Sequence, residues 1–305
     1  MRWMLPLATL LLGSVSLHAA DPKPELKIGM LSGMFRDVEP GMMQALAKPF
    51  RDLMSKQTGF SGDVEIVDDA LTLTEKLKDK KVQLGVFHGF EFAWAKQKCD
   101  DLVPLVITQP PGGKLQAVVV VHRDSRYKSL ADLKGDNVMI ARGAKAHTLA
   151  FIEKARTGFA DDVAAPKFVT KLTPEDVLNN VSGGDDKAAL VDIAAMEGYR
   201  SLQPGAYKTL RVLELSEEFP PAVVAYHKGM LTDAEVEQIR KGLSGAAKTP
   251  SGKMLMTMWN LKGFTAADEA YTKATDEILK AYPLPAVTVM KKPTASGNLT
   301  GNPKK

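Results

Sequence analysis

Nine short runs rich in β-branched and aliphatic residues punctuate this chain, at 26–31, 64–67, 82–87, 102–107, 117–122, 138–141, 189–193, 211–215 and 222–227. Stretches with helical start signals lie between them. Ser129-Leu130-Ala131-Asp132 and Thr232-Asp233-Ala234-Glu235 each place a hydroxyl residue three before an acid, as a capping box requires. Thr173-Pro174-Glu175-Asp176 puts Pro at the first helical position and two acids at the positive helix end. In the segment 42–54, Leu46, Phe50, Leu53 and Met54 recur at helical spacing and predict a core-facing stripe. Strands alternating with helices imply an α/β protein with largely parallel sheets.

Two Pro-interrupted segments lead into strands: Thr108-Gln109-Pro110-Pro111-Gly112-Gly113 before 117–122, and Glu217-Glu218-Phe219-Pro220-Pro221 before 222–227. They read as two crossings between lobes. The first lobe is then discontinuous, residues 21–115 plus 217–290, and the second lobe is the insert 116–216. No repeat of fixed period is visible.

The ends of the chain predict its destination. Residues 1–20 open with a basic residue, continue through an apolar stretch too short to span a bilayer, and end in small residues, the layout of a cleaved secretory signal. The final segment, 291–305, is polar and rich in Gly, Pro and Asn, which predicts a disordered tail. The formal net charge of +4 is carried by Arg2 and the four lysines of that tail, so the body between them is slightly acidic. Nucleic-acid binding thereby loses its main support. Cys99 is the sole cysteine and excludes an intramolecular disulfide; its charged neighbours suggest a surface turn without a redox role. The sequence has no Gly-x-Ser-x-Gly elbow, no His-Glu-x-x-His and no phosphate loop with Lys-Ser/Thr, so an enzyme is not expected. His88 and His147 could pair on a metal, but no third ligand stands at metal-binding spacing, and neither metal nor cofactor is expected.

Several segments, in order, resemble a known family. They are Leu130-Ala131-Asp132-Leu133-Lys134-Gly135 before 138–141, Leu190-Val191-Asp192-Ile193-Ala194-Ala195, Leu210-Arg211-Val212-Leu213, and a closing stretch with Trp259, Gly263-Phe264 and Tyr271. The chain resembles the periplasmic binding proteins of ABC transporters for phosphate, phosphite and phosphonate. The resemblance implies the two-lobed, type 2 periplasmic-binding fold with a ligand cleft between lobes. It also implies a monomer that passes a small anionic ligand to a membrane permease, or reports it to a membrane sensor.

In the family, ligand sits at loops after strands and at a helix amino terminus of the second lobe, as the general rule for open α/β sheets expects. That placement nominates Phe35 and Arg36 after the first strand, and His88 with Phe92 or Phe90 after the third. Arg142, Lys145, Ala146, His147 and Thr148 are nominated at the helix start of the second lobe. There the family's Ser-Thr-Ser-like run is replaced by Ala144-Lys145-Ala146-His147-Thr148, so two hydroxyls are missing while backbone donors remain. Glu197, five after Asp192, matches an acid that meets an amino group on the ligand. Read without the resemblance, Arg142, Lys145 and His147 are a solvated helix start, Glu197 an exposed helix face and Asp192 a cap for loop backbone. A sensory or accessory subunit of the same fold, or a lyase or transferase grafted onto it, are the competing functions.

Overall fold

The structure is a computed structural model and describes residues 25–35, 38–158, 167–170 and 172–285. The expected leader 1–20, Arg36 and the expected tail 291–305 lie outside the described residues.

A six-stranded sheet contains β1 (Glu25–Leu31), β2 (Ser61–Val67), β3 (Leu84–Phe87), β4 (Leu102–Gln109), β10 (Val223–His227) and β11 (Gly263–Ala266), in the order β11-β4-β10-β3-β1-β2. A five-stranded sheet contains β5 (Ala117–His122), β6 (Asn137–Ile140), β7 (Lys167–Thr170), β8 (Ala188–Asp192) and β9 (Leu210–Leu215), in the order β7-β6-β8-β5-β9. The helices are α1 (Pro40–Thr58), α2 (Ala70–Lys78), α3 (Gly89–Lys98), α4 (Ala146–Thr157), α5 (Pro174–Gly183), α6 (Ile193–Leu202), α7 (Pro204–Tyr207), α8 (Asp233–Gly245), α9 (Pro250–Met258) and α10 (Glu269–Ala281). The α/β expectation holds, and each strand-like run lies on or overlaps a strand.

The sheets are mixed, not largely parallel. β1 runs parallel to β2 and β3, and β6 runs parallel to β7 and β8. Antiparallel pairing appears where β10 opposes β3 and β4, where β11 opposes β4, and where β5 opposes β8 and β9. A strand that arrives from the other sheet is not delivered by a right-handed βαβ crossover, so nothing forces it parallel. β7 and β11 were not anticipated, because each carries only two apolar residues, where the equally short β3 and β6 carry three. The capping box at Ser129 forms, yet it starts only a 3₁₀ turn, Leu130–Leu133, stopped by Gly135 at φ +69.

Burial explains the layering. On the first sheet Ile28 and Met30 pack with Phe50, Leu53 and Met54 of α1, while Leu31 and Phe87 pack with Leu73 and Leu77 of α2 on the opposite face. β5 is covered on both faces: Val119 and Val121 join one core, Val118 and Val120 the other, as a period of two dictates. Cys99 is not on a surface turn but buried at the end of α3, within the second core.

The two crossing segments run side by side. The Phe219 N–H donates to the Leu115 carbonyl at 2.8 Å, the Thr108 N–H to the Ala222 carbonyl at 2.8 Å, and the Ala117 N–H to the Ser216 hydroxyl at 2.8 Å. Gly89, the first residue of α3, packs so closely on this pair that a Cβ there would meet the Pro220 carbonyl oxygen at 2.2 Å. Phe219 centres a small core that joins Phe90 of α3, Ile278 of α10 and Ala146 and Ala150 of α4.

Candidate functional site

Six helices carry a side-chain cap: Asp69, Thr173, Asp192, Thr232, Thr249 and Asp268 each accept from a backbone N–H at the start of α2, α5, α6, α8, α9 and α10. Neither α3 nor α4 has one, His88 and Lys145 standing at their N-cap positions. The starts of α3 and α4 face the same hollow, whereas those of α1 and α7, which also lack a side-chain cap, open with Pro40 and Pro204 and do not line it. Uncapped first-turn N–H groups and the positive end of the helix dipole favour negative charge.

That hollow is a cavity of about 420 Å³ between the sheets, lined on one side by Met34, Phe35, Leu46, Phe50, Trp259 and Phe264, and on the other by Lys145, Ala146 and His147. A smaller hollow of about 260 Å³ adjoins it, lined by Arg142, Lys145, Thr148 and Asp192. Gly143, Lys145 and Asn260 line both, so the two meet at the start of α4. Gly143 turns the chain from β6 into α4 at φ +71, a left-handed conformation that favours glycine. Asn260, from the first sheet's side, also sits in the left-handed region, at φ +50. For a residue with a Cβ that costs of order 1 kcal/mol and is characteristic of functional sites. Larger hollows of about 480 and 780 Å³ contain neither helix start.

Two polar atoms at this junction are buried without a hydrogen-bond partner. His147 is 5% exposed and its Nε2 is unpaired; Thr148 is 1% exposed and its Oγ1 is unpaired. Unpaired buried polar atoms are costly and call for an explanation at the site where they occur. Burial pushes the His147 imidazole from its usual 6.5 down to about 4; Asp192 opposes that shift, and Lys145 and His88 reinforce it. His147 is therefore a neutral ring at pH 7, hydrogen-bonded to the Gln116 backbone. Lys145 forms an ion pair with Asp192, whose other oxygen accepts from the Ala195 N–H at 2.7 Å and caps α6. Arg142 is exposed at the smaller hollow, its backbone N–H donating to the Leu172 carbonyl at 2.6 Å.

Of the nominated residues, Phe35, His88, Lys145, Ala146 and His147 line the larger cavity, and Arg142, Lys145 and Thr148 the smaller. Phe92 lines neither. It packs in the core against Phe87 at 5.9 Å and Tyr271 at 6.2 Å, and Phe90 lines the cavity in its place. Residues two apart on a helix point to nearly opposite sides, so only one of the two can face the cleft. Glu197 also lines neither hollow and instead pairs with Arg200 at 2.5 Å, three residues along α6. Sequence reasoning passed over Phe50, Trp259, Phe264 and Asn260. Phe50 stacks on Trp259 with ring centroids 5.5 Å apart, and a helical stripe does not reveal that one of its members also reaches a cleft.

The family described as the periplasmic substrate-binding protein of the phosphonate ABC transporter matches residues 33–271. No curated protein matches the chain by sequence. Among solved structures, a protein of Xanthomonas citri bound to ATP is similar at TM-score 0.58 and 19% identity, covering 85% of this chain and 97% of the other. A binding-protein component of an ABC phosphonate transporter from Pseudomonas aeruginosa gives 0.54 and 16%, covering 84% and 86%. PhnD1 from Prochlorococcus marinus in complex with methylphosphonate gives 0.55 and 15%, covering 84% and 97%. These likenesses establish the two-lobed, type 2 periplasmic-binding fold with its cleft between lobes. With that fold and a family match over most of its length, the chain belongs to the periplasmic substrate-binding proteins of phosphonate ABC transporters.

Proposed function

We propose that this protein is exported to the periplasm by a leader at residues 1–20, captures a small anion at the start of α4, and passes it as a monomer to an ABC-transporter permease. The lobes are the discontinuous 21–115 plus 217–290 and the insert 116–216, hinged at the paired crossings. Family membership supports a substrate-binding role. The observation that carries the reading is the uncapped start of α4 beside the buried, unpaired His147 Nε2 and Thr148 Oγ1. An oxyanion there would accept from first-turn backbone N–H groups and from the Thr148 hydroxyl. Arg142 adds charge from the rim.

A thermal-shift screen of inorganic and organic anions tests this. A ligand that binds only the native state stabilises it by about 2.7 kcal/mol at a hundred times its Kd, a readily visible shift. A panel of phosphate, phosphonates, sulfonates and carboxylates in which no member raises the melting temperature would remove the reading.

A further inference from the structure

The cavity does not suit a bare tetrahedral oxyanion. At about 30 Å³ per water-sized group, a volume of about 420 Å³ holds on the order of a dozen heavy atoms, and an inorganic oxyanion has about five. The excess space is bounded by Met34, Leu46, Phe50, Trp259, Leu261 and Phe264, all apolar, and all on the side away from the start of α4. Oxyanion oxygens turned toward such a wall would lose water without gaining a donor. A hydrocarbon body there gains about fourfold in affinity for each methylene it buries.

Charge narrows the class further. Among the described residues lining this cavity none is acidic, and Glu197 is engaged with Arg200, so no carboxylate awaits an ammonium group. Lys145 and Asp192 cancel each other, leaving Arg142 and the helix end to supply little more than one positive charge.

We propose that the ligand is a monoanionic organic oxyacid, a carboxylate or sulfonate, whose uncharged apolar body of about ten heavy atoms fills the cavity between Phe50, Trp259 and Phe264 while its acid group meets the start of α4. The inference rests on the anion-capture reading above, and the test separates the two.

Calorimetric titration of the purified protein is carried out with phosphate, methylphosphonate, acetate, 3-phenylpropionate, octanoate, phenylmethanesulfonate and 3-phenylpropan-1-ol. At least one apolar acid is expected to bind at least 100-fold more tightly than acetate, phosphate and methylphosphonate, and 3-phenylpropionate at least tenfold more tightly than the alcohol of the same body. Phosphate, methylphosphonate or acetate binding as tightly as every apolar acid would overturn the apolar body and leave anion capture standing. The alcohol matching 3-phenylpropionate would instead overturn the anion reading and the proposal with it. Failure of all three apolar acids to bind would also overturn the proposal. A cavity-filling variant, Ala222→Leu, is expected to weaken the preferred apolar acid at least tenfold, and unchanged affinity would place the body outside this cavity.

Discussion

Acidification from pH 7 toward pH 4 acts on a single buried ring at the centre of the cleft. His147 titrates near 6.5 when unfolded and at about 4 when folded, chiefly because burial penalises the imidazolium. Between those values the unfolded chain binds the extra proton and the folded chain does not, so stability must fall as pH falls through this window. The full difference, from 6.5 to about 4, corresponds to about 3 kcal/mol, most of it lost by pH 4.5. The neighbouring groups that titrate or carry charge are Asp192, Lys145 and His88, and of these Asp192 alone favours the charged ring. Urea unfolding of the wild type and of His147→Leu at pH 7, 5.5 and 4.5 isolates the effect, since carboxylates away from this ring titrate alike in both. The wild type should lose about 2–3 kcal/mol more than the variant across that range. Equal losses would mean that His147 is not held neutral by burial, and the description of the cleft as lined by a neutral ring would be wrong.

Lys145→Ala should weaken anion binding by roughly 1–3 kcal/mol, partly by exposing the ligand to an unneutralised Asp192, and adding Asp192→Asn should recover part of the loss in calorimetry. If the double variant binds no better than Lys145→Ala, the two charges do not act as a pair on the ligand. Gly89→Ala drives a Cβ into the Pro220 carbonyl and should cost about 1–3 kcal/mol in urea unfolding; an unaffected protein would show that the crossing segments yield freely. Small-angle scattering should show a smaller radius of gyration with a bound acid than without, as a clamp that shifts between open and closed forms requires. A constant radius at saturation would rule out closure.

The sequence made the alternation of strands and helices legible because each carries a strong local signal: β-branched runs such as 117–122, and caps such as Thr173 and Thr232. Strand direction was not legible, since β5 and β10 owe their antiparallel pairing to a chain that leaves one sheet and re-enters the other. The start of α4 could be nominated from the resemblance and its place after β6, while the choice between Phe92 and Phe90 and the placing of Glu197 could not be made from the sequence. The facing of Phe92 depends on where α3 begins, and the partner of Glu197 is Arg200 on its own helix. Neither the apolar wall of Phe50, Trp259 and Phe264 nor the left-handed Asn260 has a local signature. Each belongs to an element whose packing, visible only in three dimensions, brings it to the cleft.

The most direct test of anion capture is the response of individual backbone amides. In ¹⁵N-labelled protein titrated with the tightest acid from the calorimetric series, the N–H resonances of Ala146, His147 and Thr148 should show the largest shifts, moving downfield as they gain a charged acceptor. If those three remain in place while amides elsewhere move, the ligand does not bind at the start of α4 and the account of the site is wrong.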